Sequence, residues 1–81
     1  MAADQGDAKA QYNLGVRYAI GEGVPQNNVK AYVWSSVSAA QGNEKAKGNR
    51  DIVAAKLTPQ DLSKARAIAA KCFESKYKNC E

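Results

Sequence analysis

Residues 2–10 read AADQGDAKA, and residues 39–46 read AAQGNEKA. With Gly6 set on Gly42, Ala3, Gln5, Lys9 and Ala10 fall on Ala39, Gln41, Lys45 and Ala46, and Asp7 faces the similar Asn43. The offset is 36 residues throughout. A period in that range points to a supersecondary unit written more than once, provided the residues between the copies form one.

They do. Asp7 precedes an alanine-rich run in which Ala10, Leu14 and Tyr18 recur at four-residue steps, so residues 7–20 read as an amphipathic helix capped by Asp7. Gly15 inside that helix costs about 1 kcal/mol against alanine, which makes sense where a neighbouring helix comes close. The segment GEGVPQNN, residues 21–28, is a loop by its glycines, proline and asparagines. Asn27 or Asn28 then caps a second helix, carried by Val29, Ala31, Tyr32, Trp34 and Val37 to about residue 40 and ended by Gly42.

The second copy starts with Asn43 as cap, and Ala46, Ile52, Val53 and Ala54 carry a third helix to about Lys56. It then departs from the first, with Arg50 and Asp51 where Leu14 and Gly15 stood and no second glycine loop. Thr58, Pro59 and Asp61 instead make a strong new helix start, followed by a stripe of Leu62, Ala65, Ala69, Cys72 and Phe73 expected to be buried. A helix, a loop, a second helix and the same opening words make a two-helix repeat whose units stack because none buries its face alone. Residues 3–6 occupy the places of 39–42, so they are expected to resemble the end of a second helix. The chain is therefore expected to be the C-terminal piece of a longer array, or to bury its open end against another copy of itself.

Eighty-one residues allow one small domain, with a core that benefits from any covalent staple. No apolar run approaches the roughly 20 residues of a membrane span, so a soluble rather than integral membrane protein is expected. Residues 1–42 hold three basic and three acidic side chains, and residues 43–81 hold nine and five, which places the net charge of +4 in the second half. Acidic residues interleave that excess and no aromatic-basic motif accompanies it, so nucleic-acid binding is not expected. The first residues lack a basic start and apolar core, so the sequence as given shows no signal peptide, although a mature exported chain would look the same.

Cys72 and Cys80 lie eight residues apart, and there is no histidine. Two sulfur ligands do not close a tetrahedral zinc site. A disulfide is the preferred reading, contributing about 2.5 kcal/mol in the chain-entropy model and implying an oxidising compartment. Reduced thiols packed beside a helix remain the alternative.

Residues 10–46 resemble the Sel-one-like repeat, a relative of the tetratricopeptide repeat, through Ala10, Leu14, Gly15, Tyr18, Gly21, Gly23, Val24, Ala31, Trp34, Ala39, Ala40 and Gly42. The resemblance covers one full repeat and the start of another. It implies an all-α fold, a short α-solenoid of antiparallel helix pairs with about four helices: a full repeat over 7–42, the first helix of a second over 43–57, a C-terminal capping helix over 58–76 and a tail over 77–81. It also implies a scaffold that holds a protein or peptide partner in the concave face, without catalysis or cofactor. Many bacterial members are exported, so the resemblance adds weak support for a periplasmic or secreted location over a cytoplasmic one.

Some relatives of this repeat bind or hydrolyse β-lactams, which makes Ser75 and Lys78 worth weighing as an S-x-x-K pair. They lie in a tail expected to be mobile, and the partner motifs SDN and KTG are missing. The absence of histidine removes Ser-His and Cys-His mechanisms within one chain. GEG follows a helix rather than a strand and reads as a turn, not a phosphate cradle. The remaining enzyme alternative is therefore β-lactam chemistry, and a third reading is a basic module docking on anionic cell-envelope surfaces.

If tetratricopeptide geometry carries over, Leu14 and Tyr18 face inward and Lys9, Tyr12 and Val16 line the concave side, with Lys45, Gly48 and Ile52 in the corresponding places of the third helix. Lys9, Tyr12, Val16, Lys45 and Ile52 are thus the candidate groove for an extended peptide with an acidic residue. The competing reading has Tyr12 and Val16 packing against a preceding repeat. Ala10, Leu14, Gly15, Tyr18, Ala31 and Trp34 are expected to form the repeat core rather than a ligand-stacking site.

Overall fold

The computed structural model describes residues 2–81. A short 3-10 turn, Ala3–Gln5, precedes four helices, α1 (Ala8–Ile20), α2 (Asn28–Ala40), α3 (Glu44–Lys56) and α4 (Pro59–Glu74), and no strand occurs among the described residues. The architecture is all-α, a short solenoid-like stack of helices.

Each helix begins on a side-chain cap that satisfies an otherwise orphaned amide. Asp7 Oδ1 accepts from the Ala10 N–H at 3.1 Å, Asn27 Oδ1 from Lys30 at 3.0 Å, Asn43 Oδ1 from Ala46 at 3.2 Å and Thr58 Oγ1 from Asp61 at 3.1 Å. Of the two asparagines open to choice, Asn27 is the cap. The 36-residue echo is also written in the backbone. Gly6 and Gly42 have φ of +90° and +96°, and the caps that follow, Asp7 and Asn43, share φ of −72° and −78° with ψ of 110° and 108°. The 3-10 turn stands where the end of α2 stands in the second copy.

Helix α2 is the centre of the molecule. Ala31, Tyr32, Val33, Trp34, Ser35, Val37, Ser38 and Ala39 are all buried, because α1, α3 and α4 each pack against a different side of it. Hydrogen bonds from polar α2 side chains fix the register. Ser38 Oγ donates to the Ala8 carbonyl of α1 at 2.6 Å, and Ser35 Oγ accepts from Asn49 Nδ2 of α3 at 2.7 Å.

The α1–α2 contact is a backbone approach. A Cβ built on Gly15 would lie 2.5 Å from Ser35 Oγ, 3.2 Å from the Ser35 nitrogen and 3.3 Å from the Ala31 oxygen.

Two local expectations are corrected. Phe73 is not in the buried stripe of α4: it is 48% exposed and meets Tyr77 edge-on at 6.1 Å, while Ala65, Ala69 and Cys72 carry the contact. Leu14 is half-buried and packs against the core, beside the fully buried Gln11, Gly15 and Tyr18 of α1. The fourth helix stops at Glu74 rather than 76, since Lys76 and Tyr77 take positive φ of 56° and 69° and turn the chain back.

Gly15→Ala is expected to lower stability by about 1–2 kcal/mol, overpacking outweighing the propensity gain because the neighbouring atoms include backbone. Gly48→Ala, in α3 with open space around it, should instead raise stability by up to about 1 kcal/mol. Urea unfolding of the two variants checks this, and equal shifts would contradict the close approach.

Candidate functional site

Three surfaces concern function. On the α1 and α3 side, Lys9, Lys45 and Ile52 are exposed, Ile52 at 60%, and Tyr12 and Val16 are half-buried. They lie on two helices that touch each other.

The second surface is the outer face of α1. Ala10, Asn13, Leu14 and Arg17 line, with Ala2 and Ala3, an open depression of about 210 Å³. Asn13 makes no side-chain hydrogen bond among the described residues.

The third is built by the tail. Residues 75–81 do not hang free: Ser75 Oγ donates to the Cys72 carbonyl and accepts from the Lys78 and Asn79 amides, and the Tyr77 ring lies against Gly6. The Cys72–Cys80 disulfide is formed, with both residues buried. It delivers Glu81 to the junction of α1 and α2. There Glu81 Oε1 accepts from Tyr18 Oη at 2.9 Å and lies 3.2 Å from Lys30 Nζ, and Oε2 accepts from Trp34 Nε1 at 3.0 Å. Lys30 Nζ also sits 5.5 Å from the Tyr18 ring centroid.

The electrostatics follow from this geometry. Burial alone would raise the Glu81 carboxyl, but hydrogen bonds from Tyr18, Trp34 and Lys30, with the Lys30 charge, outweigh it and hold the group below its ordinary 4.5. Burial, then the hydrogen bond to Glu81 and its negative charge, pushes the Tyr18 phenol up to about 12.

Of the candidate core residues, Gly15, Tyr18, Ala31 and Trp34 are buried and Ala10 and Leu14 are half-buried. The Tyr18 and Trp34 rings belong to the core, while their polar tips meet the tail. The Ser75 hydroxyl is committed to the turn after α4, an arrangement that offers no support for a nucleophile. Sequence reasoning missed Glu81, which carries no motif. It also missed Gln11, fully buried, whose Nε2 donates to the Ala3 carbonyl at 3.1 Å and whose Oε1 accepts from Gln41 Nε2 at 2.9 Å.

The fold and its internal echo define a two-helix repeat of the solenoid kind. Residues 8–43, spanning α1, the glycine loop, α2 and its closing turn, match the family model of the Sel1 repeat. Helices α1 and α2 are thus similar to a Sel1 repeat, and such repeats are in general non-enzymatic protein–protein interaction modules. No curated protein and no solved structure matches the chain. No helix among the described residues is long and apolar enough to cross a membrane.

The Glu81 contacts have a pH signature. A carboxyl held below its unfolded value contributes stability above about pH 4.5, which is lost as pH falls through the folded value. The raised Tyr18 phenol contributes below pH 10.0, and that contribution is lost as pH rises towards about 12. Between pH 6 and 3, unfolding midpoints of the wild type are therefore expected to fall more steeply than those of Glu81→Gln. Parallel curves would mean that Glu81 is not held as described.

Proposed function

We propose that the chain is a protein–protein interaction module that docks a helix against the outer face of α1. One observation carries this reading. Ala10, Asn13, Leu14 and Arg17 stand 36 residues before Ala46, Asn49, Arg50 and Val53, and α3 uses those positions to pack on α2, with Ala46 and Val53 at 0% and 1% exposure and Asn49 bonded to Ser35. Ala2 and Ala3, which share the depression on α1, stand in the places of Ser38 and Ala39. The surface that is filled in the second copy is thus open in the first. The helix that fits it resembles α2, small along one stripe, with a hydroxyl for Asn13. It comes from a preceding repeat or from another copy of this chain. In that arrangement 7–42 is the full repeat, 43–57 opens a second, and the capping segment 58–76 with the tail 77–81 closes the array over α2.

A second reading, an extended acidic peptide held by Lys9, Tyr12, Val16, Lys45 and Ile52, is favoured by the exposure of Ile52 on α3, a helix that touches α1. The disulfide supports work in an oxidising compartment, periplasmic or secreted.

A photo-crosslinking amino acid placed at position 13 or at position 52 of the protein in its native host separates the two. Crosslinks from 13 into a repeat helix are expected. Crosslinks from 52 alone would move binding to the α1 and α3 side, and none from either would remove both readings.

A further inference from the structure

The donors that hold Glu81 belong to the folded repeat, whereas their acceptor belongs to the tail. Tyr18 projects from α1, and Lys30 and Trp34, four residues apart, project from one face of α2. Two packed helices therefore bring a hydroxyl, an indole N–H and an ammonium around a single point. Beside that point a cleft of about 340 Å³ opens between α2 and α4, with Val29, Val33 and Ile68 among its lining and Lys64 at its side. Lys64 has no ion pair among the described residues. The cleft offers an apolar floor and an unspent positive charge next to a carboxylate cradle.

The tail that fills the cradle is pinned by the disulfide, the Ser75 bonds and the Tyr77 contact on Gly6, but its turn takes an unfavourable backbone. Lys76 and Tyr77 adopt the left-handed backbone region that non-glycine residues disfavour. The Cys72–Cys80 bond places Glu81 one residue beyond its anchor. We propose that Tyr18, Lys30 and Trp34 form a binding site for an acidic side chain of a partner peptide, whose apolar neighbours enter the cleft, and that Glu81 fills this site while the tail is closed.

Tethering gives Glu81 the advantage of an intramolecular ligand. The advantage falls when a dithiol reduces the disulfide. The dithiol supplies two electrons and two protons, the sulfur–sulfur bond becomes the two thiols of Cys72 and Cys80, and the dithiol closes to its own disulfide. The freed tail then competes poorly with an external carboxylate. This site is separate from the outer face of α1, and its test does not depend on whether that face docks a helix.

Trp34 is the single tryptophan of the chain, so its emission reports on the cradle directly. The probe is a blocked hexapeptide with one glutamate among leucines and alanines, alongside its glutamine counterpart. Disulfide-intact Glu81→Ala is expected to show a saturable emission change with the glutamate peptide and none with the glutamine peptide. Adding Lys30→Met should weaken that binding at least tenfold. Oxidised wild type should need at least tenfold more peptide than wild type reduced with dithiothreitol. Equal response to both peptides, no response in Glu81→Ala, or equal affinity of oxidised and reduced wild type would overturn the proposal. Loss of helical circular dichroism in Glu81→Ala or in the reduced protein would overturn it as well, because the cradle would then not persist without its own tail.

Discussion

Everything in this fold hangs on α2 being buried on all sides. A helix of an 81-residue protein normally hides one stripe, because there is too little chain to cover more. Here α1, α3 and α4 surround one helix, so the apolar mass of Val33, Trp34 and Val37 is shared by every contact. The cost of such a helix is its buried polar groups. Ser38 and Ser35 find partners by bonding α1 and α3, and those bonds set how the neighbours sit, whereas Ser36 Oγ is buried with no partner among the described residues.

The same accounting explains the tail. Trp34 and Tyr18 are almost wholly enclosed, yet each carries a polar tip that water would otherwise satisfy. Glu81 supplies an acceptor to both and takes the Lys30 ammonium as counter-charge. The disulfide makes this possible over a short path: α4 fixes Cys72, Cys72 fixes Cys80, and Glu81 follows. A covalent staple at the end of the chain is thereby connected to the centre of the core through one side chain.

What could be read from the sequence was what depends on local order. The caps, the glycine loop, the 36-residue echo and the burial of Trp34 follow from neighbours along the chain or from a repeated pattern, and the cysteine pair had few alternatives. What could not be read depends on long-range partners. Gln11 looks like a surface residue until the turn of Ala3 and the end of α2 both offer it bonds. Glu81 looks like any surface acid until the fold brings α1 and α2 to it. Periodicity places Phe73 in the core, near Cys72 and Ala69. The turn after Glu74 brings Tyr77 round to meet it at the edge, where the ring stays half in water.

The departure of the second copy from the first has one physical root. In the first copy Gly15 lets the backbones of α1 and α2 come together, with Ser35 filling the space a Cβ would take. Thirty-six residues on, that place belongs to Asp51, an exposed acid paired with Arg50 at 3.2 Å. A second helix cannot pack on α3 as α2 packs on α1. The connection is also different: the glycine loop gives way to Leu57 and Thr58, with Thr58 capping the next helix at once. The close backbone neighbour of α4 is accordingly α2 rather than α3. Helix α4 packs on α2, and the turn after it brings Glu81 within reach of Tyr18 and Trp34.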